Sequence, residues 1–230
     1  MMAPDIPRTE GFGFAADKGA RENQEDSAGL RVLHDGALAY VLCDGMGGHA
    51  AGEVASGEAV RAFLDHLGAA REVGPDTWQS LLQQALIAAN DAIREKVNAD
   101  AQLEGMGCTL VGVISDSRQF AFVSVGDSPL YLSTFAVAPG ISGAHRLLRI
   151  NTDHSLRDLV ERKARETGQP FEAIAAQINP NALRSALAGQ PLDIAQMRAD
   201  NELDLGHREL HAGDRLIAAS DGIETLNDED

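Results

Sequence analysis

The sequence is poor in aromatic residues, in cysteine and in positive charge, and it has no long apolar run. Phe, Trp and Tyr make up 4% of the 230 residues, too few for the stacking platforms that hold single-stranded nucleic acid. Lys and Arg number 19 against 35 Asp and Glu, a net charge of -16. Such an excess repels a nucleic-acid backbone and an anionic membrane surface alike, so neither is expected as a partner. The two cysteines, Cys43 and Cys108, sit in the apolar stretches AYVLCDG and GCTLVGV and form no Cys-x-x-Cys pair. They read as buried free thiols, and a reducing, cytoplasmic compartment is the default. No stretch approaches the roughly 20 apolar residues of a bilayer span. The start, MMAPDIPRTEGFG, has no basic region followed by an apolar run, so no secretory signal is expected.

Two further absences concern chemistry. No GxGxxG follows a strand, and no GxxxxGK precedes Ser or Thr, which disfavours a nucleotide-binding fold. The seven histidines are scattered, with neither HExxH nor His-x-His among them, which argues against a zinc site. What is present is ordinary folded composition, 44% hydrophobic and 23% charged, in a chain long enough for one large domain or two small ones.

The apolar period changes along the chain. GFGFAADKG (11–19), SAGLRVL (27–33) and ALAYVLC (37–43) read as strands. After DGMGG the period becomes helical, with Val54, Ala59, Phe63, Leu64 and Leu67 near one stripe. Gly74 and Pro75 break that helix, and a second runs from Thr77 to about Ala99. CTLVGVIS, QFAFVSVG, PLYLSTFAV and HRLLRI then read as consecutive strands, with a hairpin turn at 115–118. Helical patterns follow in SLRDLVERKARETG, in FEAIAAQI and, as a short helix stopped by Gly189, in NALRSALAG. Residues 190–213 look irregular, and DRLIAAS (214–220) reads as a last, central strand. Antiparallel strands around two adjacent long helices make an α+β layered domain.

The chemistry lies in a recurrence. Acidic residues stand where an apolar strand gives way to glycine or a turn: Asp44 in VLCDGMGG, Asp127 in FVSVGDS and Asp221 in LIAASDG. A fourth acidic cluster, Glu25-Asp26 in RENQEDS, lies between two strand-like segments. Carboxylates converging at strand ends repel one another unless something positive sits among them. All-oxygen ligation points to Mg²⁺ or Mn²⁺. Gly45, Gly47 and Gly48 leave the backbone bare after Asp44, so a carbonyl can approach a metal. Arg21 offers the planar donor fork that suits a phosphate. A metal centre with one arginine suits hydrolysis of a phosphate ester. Ser128 has no His partner at a recognisable spacing and is expected to hydrogen-bond the strand end, not to act as a nucleophile.

RENQED (21–26), DGMGGHAAGE (44–53), GCTLVGV (107–113), VGDSPLYL (125–132) and ASDGIETL (219–226) together resemble the metal-dependent serine/threonine protein phosphatases of the PP2C (PPM) family, in its bacterial form. The resemblance covers essentially the whole chain. It implies a four-layer α-β-β-α sandwich of two antiparallel sheets, with two core ions of Mn²⁺ or Mg²⁺, and room for a third, at one end. Arg21 matches the phosphate-binding arginine, Glu25 a metal ligand and Asp26 the carboxylate behind it. Asp44 matches the residue bridging both ions, Gly45 the carbonyl ligand beside it, Asp127 a ligand of the third ion, and Asp221 one shared between core and third sites. Met46 stands where many eukaryotic members have a histidine proposed as general acid. The implied activity is hydrolysis of phosphoserine and phosphothreonine esters on proteins through metal-activated water, reversing a Ser/Thr kinase, by a cytoplasmic monomer.

The resemblance also sets expectations about organisation. Residues 1–230 form a single phosphatase domain with a variable, mobile flap at about 154–205. Arg184 in that flap carries only a weak expectation of substrate contact, and His49 near the site reads as a packing or capping group, with a water-orienting role as the alternative. The family pattern continues past SDG with a helix, a further Asp ligand and a final strand, so the chain is expected to be C-terminally incomplete and its gene product to extend beyond Asp230. The alternative, should the chain end there, is a catalytically impaired scaffold or a partner-regulated phosphatase.

Overall fold

The computed structural model describes residues 11–17, 23–47, 51–136 and 144–225. Its larger sheet has the strand order β1 (Asp26–Val32), β2 (Leu38–Met46), β4 (Leu110–Ser115), β5 (Gln119–Val125) and β8 (Asp204–Glu209), with the two-residue β3 (Gly107–Cys108) also on β2. The smaller sheet runs β7 (Ala144–Arg149), β6 (Leu130–Ala136), β9 (Arg215–Ala218). All pairings are antiparallel. Helices α1 (Ala51–Ala69) and α2 (Trp78–Ala99) form a hairpin against the larger sheet. Three short helices, α3 (Arg157–Thr167), α4 (Phe171–Ala175) and α5 (Ile194–Ala199), lie between β7 and β8 in the chain. This is the two-sheet α+β sandwich that the motifs imply. The described residues supply three of its four layers; among them no helix packs closely on the outer face of the smaller sheet, where Leu147 and Ile217 are exposed.

The alternation of side chains along the central strands divides the interior in two. Ala39, Val41 and Cys43 of β2, Ile114 of β4 and Ala121, Val123 and Val125 of β5 face the helices and pack with Phe63, Leu67, Leu82 and Leu86. The intervening residues Val111, Val113, Phe120 and Phe122 face the smaller sheet and meet Leu130, with Leu216 and Ala218 at the margin. Asp44 lies one residue beyond Cys43, so it belongs to the inter-sheet side. The same parity that buries Cys43 under α1 sends Asp44 toward the end of the sandwich. Both thiols are free and buried, as the apolar context predicts.

Three sequence expectations fail. Residues 12–17 of the GFGFAADKG stretch are irregular rather than a strand; the rest of it lies outside the described residues. NALRSALAG is not a helix. Its backbone is drawn instead into isolated bridges, Leu183 to Ser155 and Leu187 to Cys108, because strand edges nearby offer partners that a short helix would leave unpaired. Residues 190–213 are also more regular than their composition suggests, containing α5 and β8. β8 completes the larger sheet beside β5, and its DLGHRE sequence is half-exposed, so it lacks the apolar signature of a buried strand. Among the described residues β9 pairs with β6 alone.

One packing contact tests the helix–sheet layer. A Cβ at Gly112 in β4 would stand 2.3 Å from Cζ of the fully buried Phe63, so the glycine makes room for the ring. Gly112→Ala is expected to cost about 1–3 kcal/mol by overpacking. Combined with Phe63→Leu, the total cost should be smaller than the sum of the two single costs. Urea unfolding of the four proteins measures both quantities.

Candidate active site

Four strand ends meet at one end of the sandwich. Glu25 precedes β1, Asp44 lies two residues before the end of β2, Asp127 follows β5 and Asp221 follows β9. All four line one cavity of about 400 Å³, together with Gly45, Met46, Gly47, Thr109 and residues 181–183. Of the residues that the motifs single out, the structure therefore brings Glu25, Asp44, Gly45, Asp127 and Asp221 together. Asp26 stands behind them. It pairs with Asp44 across β1 and β2, and its carboxylate accepts a hydrogen bond of 3.0 Å from the Ser220 hydroxyl. Arg21, Gly48 and His49 lie outside the described residues.

The backbone around Glu25 and Asp44 is held from several sides. The Glu25 carbonyl accepts from Gly45 N–H at 3.1 Å and from the buried Ser56 hydroxyl of α1 at 2.7 Å. A Cβ at Gly45 would stand 2.1 Å from the Gly52 carbonyl oxygen and 2.7 Å from that of Glu25. The start of α1 and the end of β2 thus touch backbone to backbone, and only glycine permits the approach. Asp44 N–H donates to Thr109 Oγ1 at 3.0 Å, and Thr109 N–H returns a bond to the Asp44 carbonyl at 2.9 Å. Thr109 Oγ1 also lies 2.7 Å from Ser128 Oγ. Ser128 is thus tied to the strand end as its sequence context predicts.

Asp127 is perturbed by its surroundings. Burial, then the charge of Asp221, push its carboxyl up to about 6. Arg149 of β7 works against this: its Nη2 donates to the Asp127 carbonyl at 2.6 Å, and its Nη1 lies 3.7 Å from the Asp153 carboxylate. The turn itself needs Gly126, which has φ of +98°. The residues that sequence reasoning missed are Thr109, Arg149 and the 181–183 wall. Thr109 interrupts the apolar run GCTLVGV, a polar break that could have marked it. Arg149 sits in a strand and carries no motif.

The 181–183 wall is a stitched strip. Leu156 N–H donates to the Ala182 carbonyl at 2.8 Å, Arg184 N–H to the His154 carbonyl at 2.8 Å, and Cys108 and Leu187 exchange two backbone bonds of 2.9 Å. The side chain of buried Asn90 on α2 closes the far end, accepting from Gly189 N–H and donating to the Gln190 carbonyl. The Arg184 guanidinium is turned onto the backbone carbonyls of Ser155 and Asp153. It serves the strip rather than the cavity.

The donor set suits a hard divalent cation. It is all oxygen, and a carboxyl raised by burial and by a neighbouring carboxylate is one that a cation would relieve. The side chains stand around the cavity rather than on one point: among the described residues no group of three or more His, Cys, Asp or Glu is gathered as an ion would require.

Comparison with known proteins decides the family. The model of the family described as protein phosphatase 2C matches residues 18–230. The chain belongs to that family. It is 36% identical over 213 residues to the serine/threonine protein phosphatase PstP of Mycobacterium tuberculosis, covering 92% of this chain. The chain spans only 36% of that relative's own length. The crystal structure of M. tuberculosis PstP/Ppp superposes with a TM-score of 0.65 at 31% identity, covering 91% of this chain and 77% of that one. The catalytic domain of PstP in complex with two manganese ions gives 0.64 at 31% identity, over 91% and 76%. No described helix is long and apolar enough to cross a membrane.

Thr109 generates a test within this site. Thr109→Val keeps the shape but leaves Asp44 N–H and Ser128 without their partner. The expected cost is about 1–3 kcal/mol, the desolvation penalty of a buried unsatisfied group. Adding Ser128→Ala should cost less than it does alone, and guanidinium unfolding of the double-mutant cycle measures that coupling.

Proposed function

We propose that this chain hydrolyses phosphoserine and phosphothreonine monoesters on proteins, with Mn²⁺ or Mg²⁺ held by Glu25, Asp44, the Gly45 carbonyl, Asp127 and Asp221. The observation that carries the reading is the convergence of four carboxylates from four strand ends on one cavity, with Asp127 raised by burial and by Asp221. The 36% identity to PstP, and the two manganese ions in the PstP catalytic domain, support the same assignment. When bound, divalent cations supply hydroxide at neutral pH and neutralise charge on the phosphoryl oxygens.

The chain's own residues then divide the remaining work. Asp44, held by Thr109, presents its carboxylate at the head of the cavity. Asp26, fixed by Ser220 and opposite Asp44, orients the groups in front of it. Arg21 binds and orients the phosphoryl group through its planar fork. Met46 offers no proton, so the leaving serine or threonine oxygen takes its proton from solvent or from another side chain. Residues 181–183 form the wall against which the phosphorylated residue enters. The natural partners are phosphorylated Ser/Thr proteins and the kinase that makes the same esters, and the chain acts as a cytoplasmic monomer with a two-ion core and a third site at Asp127 and Asp221.

A phosphothreonine peptide assayed with Mn²⁺ and with a chelator tests this. Turnover should require Mn²⁺. Asp44→Asn should lower kcat by about two orders of magnitude or more, the scale of losing a charge-stabilising group, and weaken Mn²⁺ binding in calorimetry. Arg21→Ala should instead raise KM while leaving Mn²⁺ affinity unchanged. Metal-independent turnover, or none with Mn²⁺ supplied, defeats the assignment; the second result would leave a scaffold.

A further inference from the structure

His154 is fully buried and is none of the residues to which the resemblance gave a role in the site. Its ring and backbone both grip the glycine before Asp127. Gly126 N–H donates to His154 Nδ1 at 3.2 Å, and His154 N–H donates to the Gly126 carbonyl at 3.2 Å. The His154 carbonyl in turn accepts from Arg184 N–H in the cavity wall at 2.8 Å. One residue therefore ties the Asp127 turn to the strip that forms the opposite lip.

The geometry fixes the ring's tautomer. Nδ1 accepts, so it carries no hydrogen and the proton sits on Nε2. Among the described residues Nε2 is buried with no hydrogen-bond partner, and Asp204 Oδ1 lies 4.0 Å away. Asp204 lies at the start of β8 and is itself held by Thr152, whose N–H and hydroxyl both donate to it. Burial lowers the ring's proton affinity below that of an ordinary histidine, which suits a neutral acceptor. A histidine in packing alone needs no acceptor aimed at a left-handed glycine. Gly126, with φ of +98°, has its N–H turned inward, and without Nδ1 that buried donor loses its partner.

We propose that His154, held in the Nε2–H tautomer with Asp204 behind it, is a positioning residue that sets the aim of the Asp127 carboxylate through the Gly126 amide. It touches neither phosphate nor cation. This rests on the reading of Asp127 as a metal ligand, but its first consequence is independent of metal.

The variants separate the acceptor from the volume. Asparagine carries an acceptor near the position of Nδ1, glutamine carries its amide near Nε2, and leucine carries none. In the metal-free protein, the Gly126 amide should keep its slow hydrogen exchange in His154→Asn and exchange at least about tenfold faster in His154→Leu and His154→Gln. In calorimetry, the weakest Mn²⁺ site should hold within about threefold for His154→Asn and weaken about 10- to 100-fold in the other two, the scale for groups that orient ligands. If His154→Leu does not fold, His154→Gln carries the comparison. Equal Gly126 exchange in all folded variants would overturn the proposal, as would equal Mn²⁺ affinity beside a wild type that binds it. A wild type that binds no Mn²⁺ would instead defeat the metal reading, leaving the exchange result to decide His154.

Discussion

Mutual repulsion among carboxylates is the constraint on which the rest of this structure depends. Asp127 and Asp221 come close enough for one to raise the other's pKa, and Glu25 and Asp44 share their cavity. An arrangement of like charges in a partly buried place does not hold itself together. Other interactions must fix the backbone at each strand end, and they are present: Thr109 and Ser128 behind Asp44, Ser56 and Gly45 around the Glu25 carbonyl, Arg149 on the Asp127 carbonyl, Ser220 on Asp26. Each of these uses a neutral group, or a cation turned to a backbone carbonyl.

That scaffolding depends on the two-sided larger sheet. Its helix-facing residues build one apolar core and its sheet-facing residues a second, so the central strands are fixed on both faces. Rigid strands carry precise ends. The close contact of Gly45 with Gly52 then sets where α1 begins relative to the site. The polar cluster of Asn151, Ser124 and Ser128 does similar work below Asp127: Asn151 donates to the Ser124 hydroxyl and the Ser128 carbonyl and accepts from Leu130 N–H. Satisfied on every side, such a buried network stiffens the turn it supports.

Much of this is legible in the residues alone, where the signal is local and strong. Apolar runs ending in Asp-Gly mark β2 and the end of β9. The change from period two to period 3.6 after DGMGG marks the two long helices. What the sequence conceals is decided by tertiary partners. NALRSALAG has helical spacing, but Ser155 and Cys108 offer its backbone bridges that outweigh a short helix's propensity. β8 is half-exposed, so its alternation is weak and its pairing with β5 shows only in three dimensions. Thr109, Arg149 and His154 act through bonds to residues 19 to 65 positions away, and no local pattern encodes those.

The central claim is that the strand ends hold like charge in readiness for a cation. Thermal unfolding of the wild type and of Asp127→Asn, in chelator and in saturating Mn²⁺, addresses it most directly. In chelator the neutral amide removes both repulsion and a partly buried charge, so the variant should be at least as stable as the wild type. In Mn²⁺ the wild type should gain about 2.7 kcal/mol when the ion is at 100 times its Kd, and the variant clearly less. A wild type unmoved by Mn²⁺, or a variant less stable than the wild type in chelator, would contradict the account.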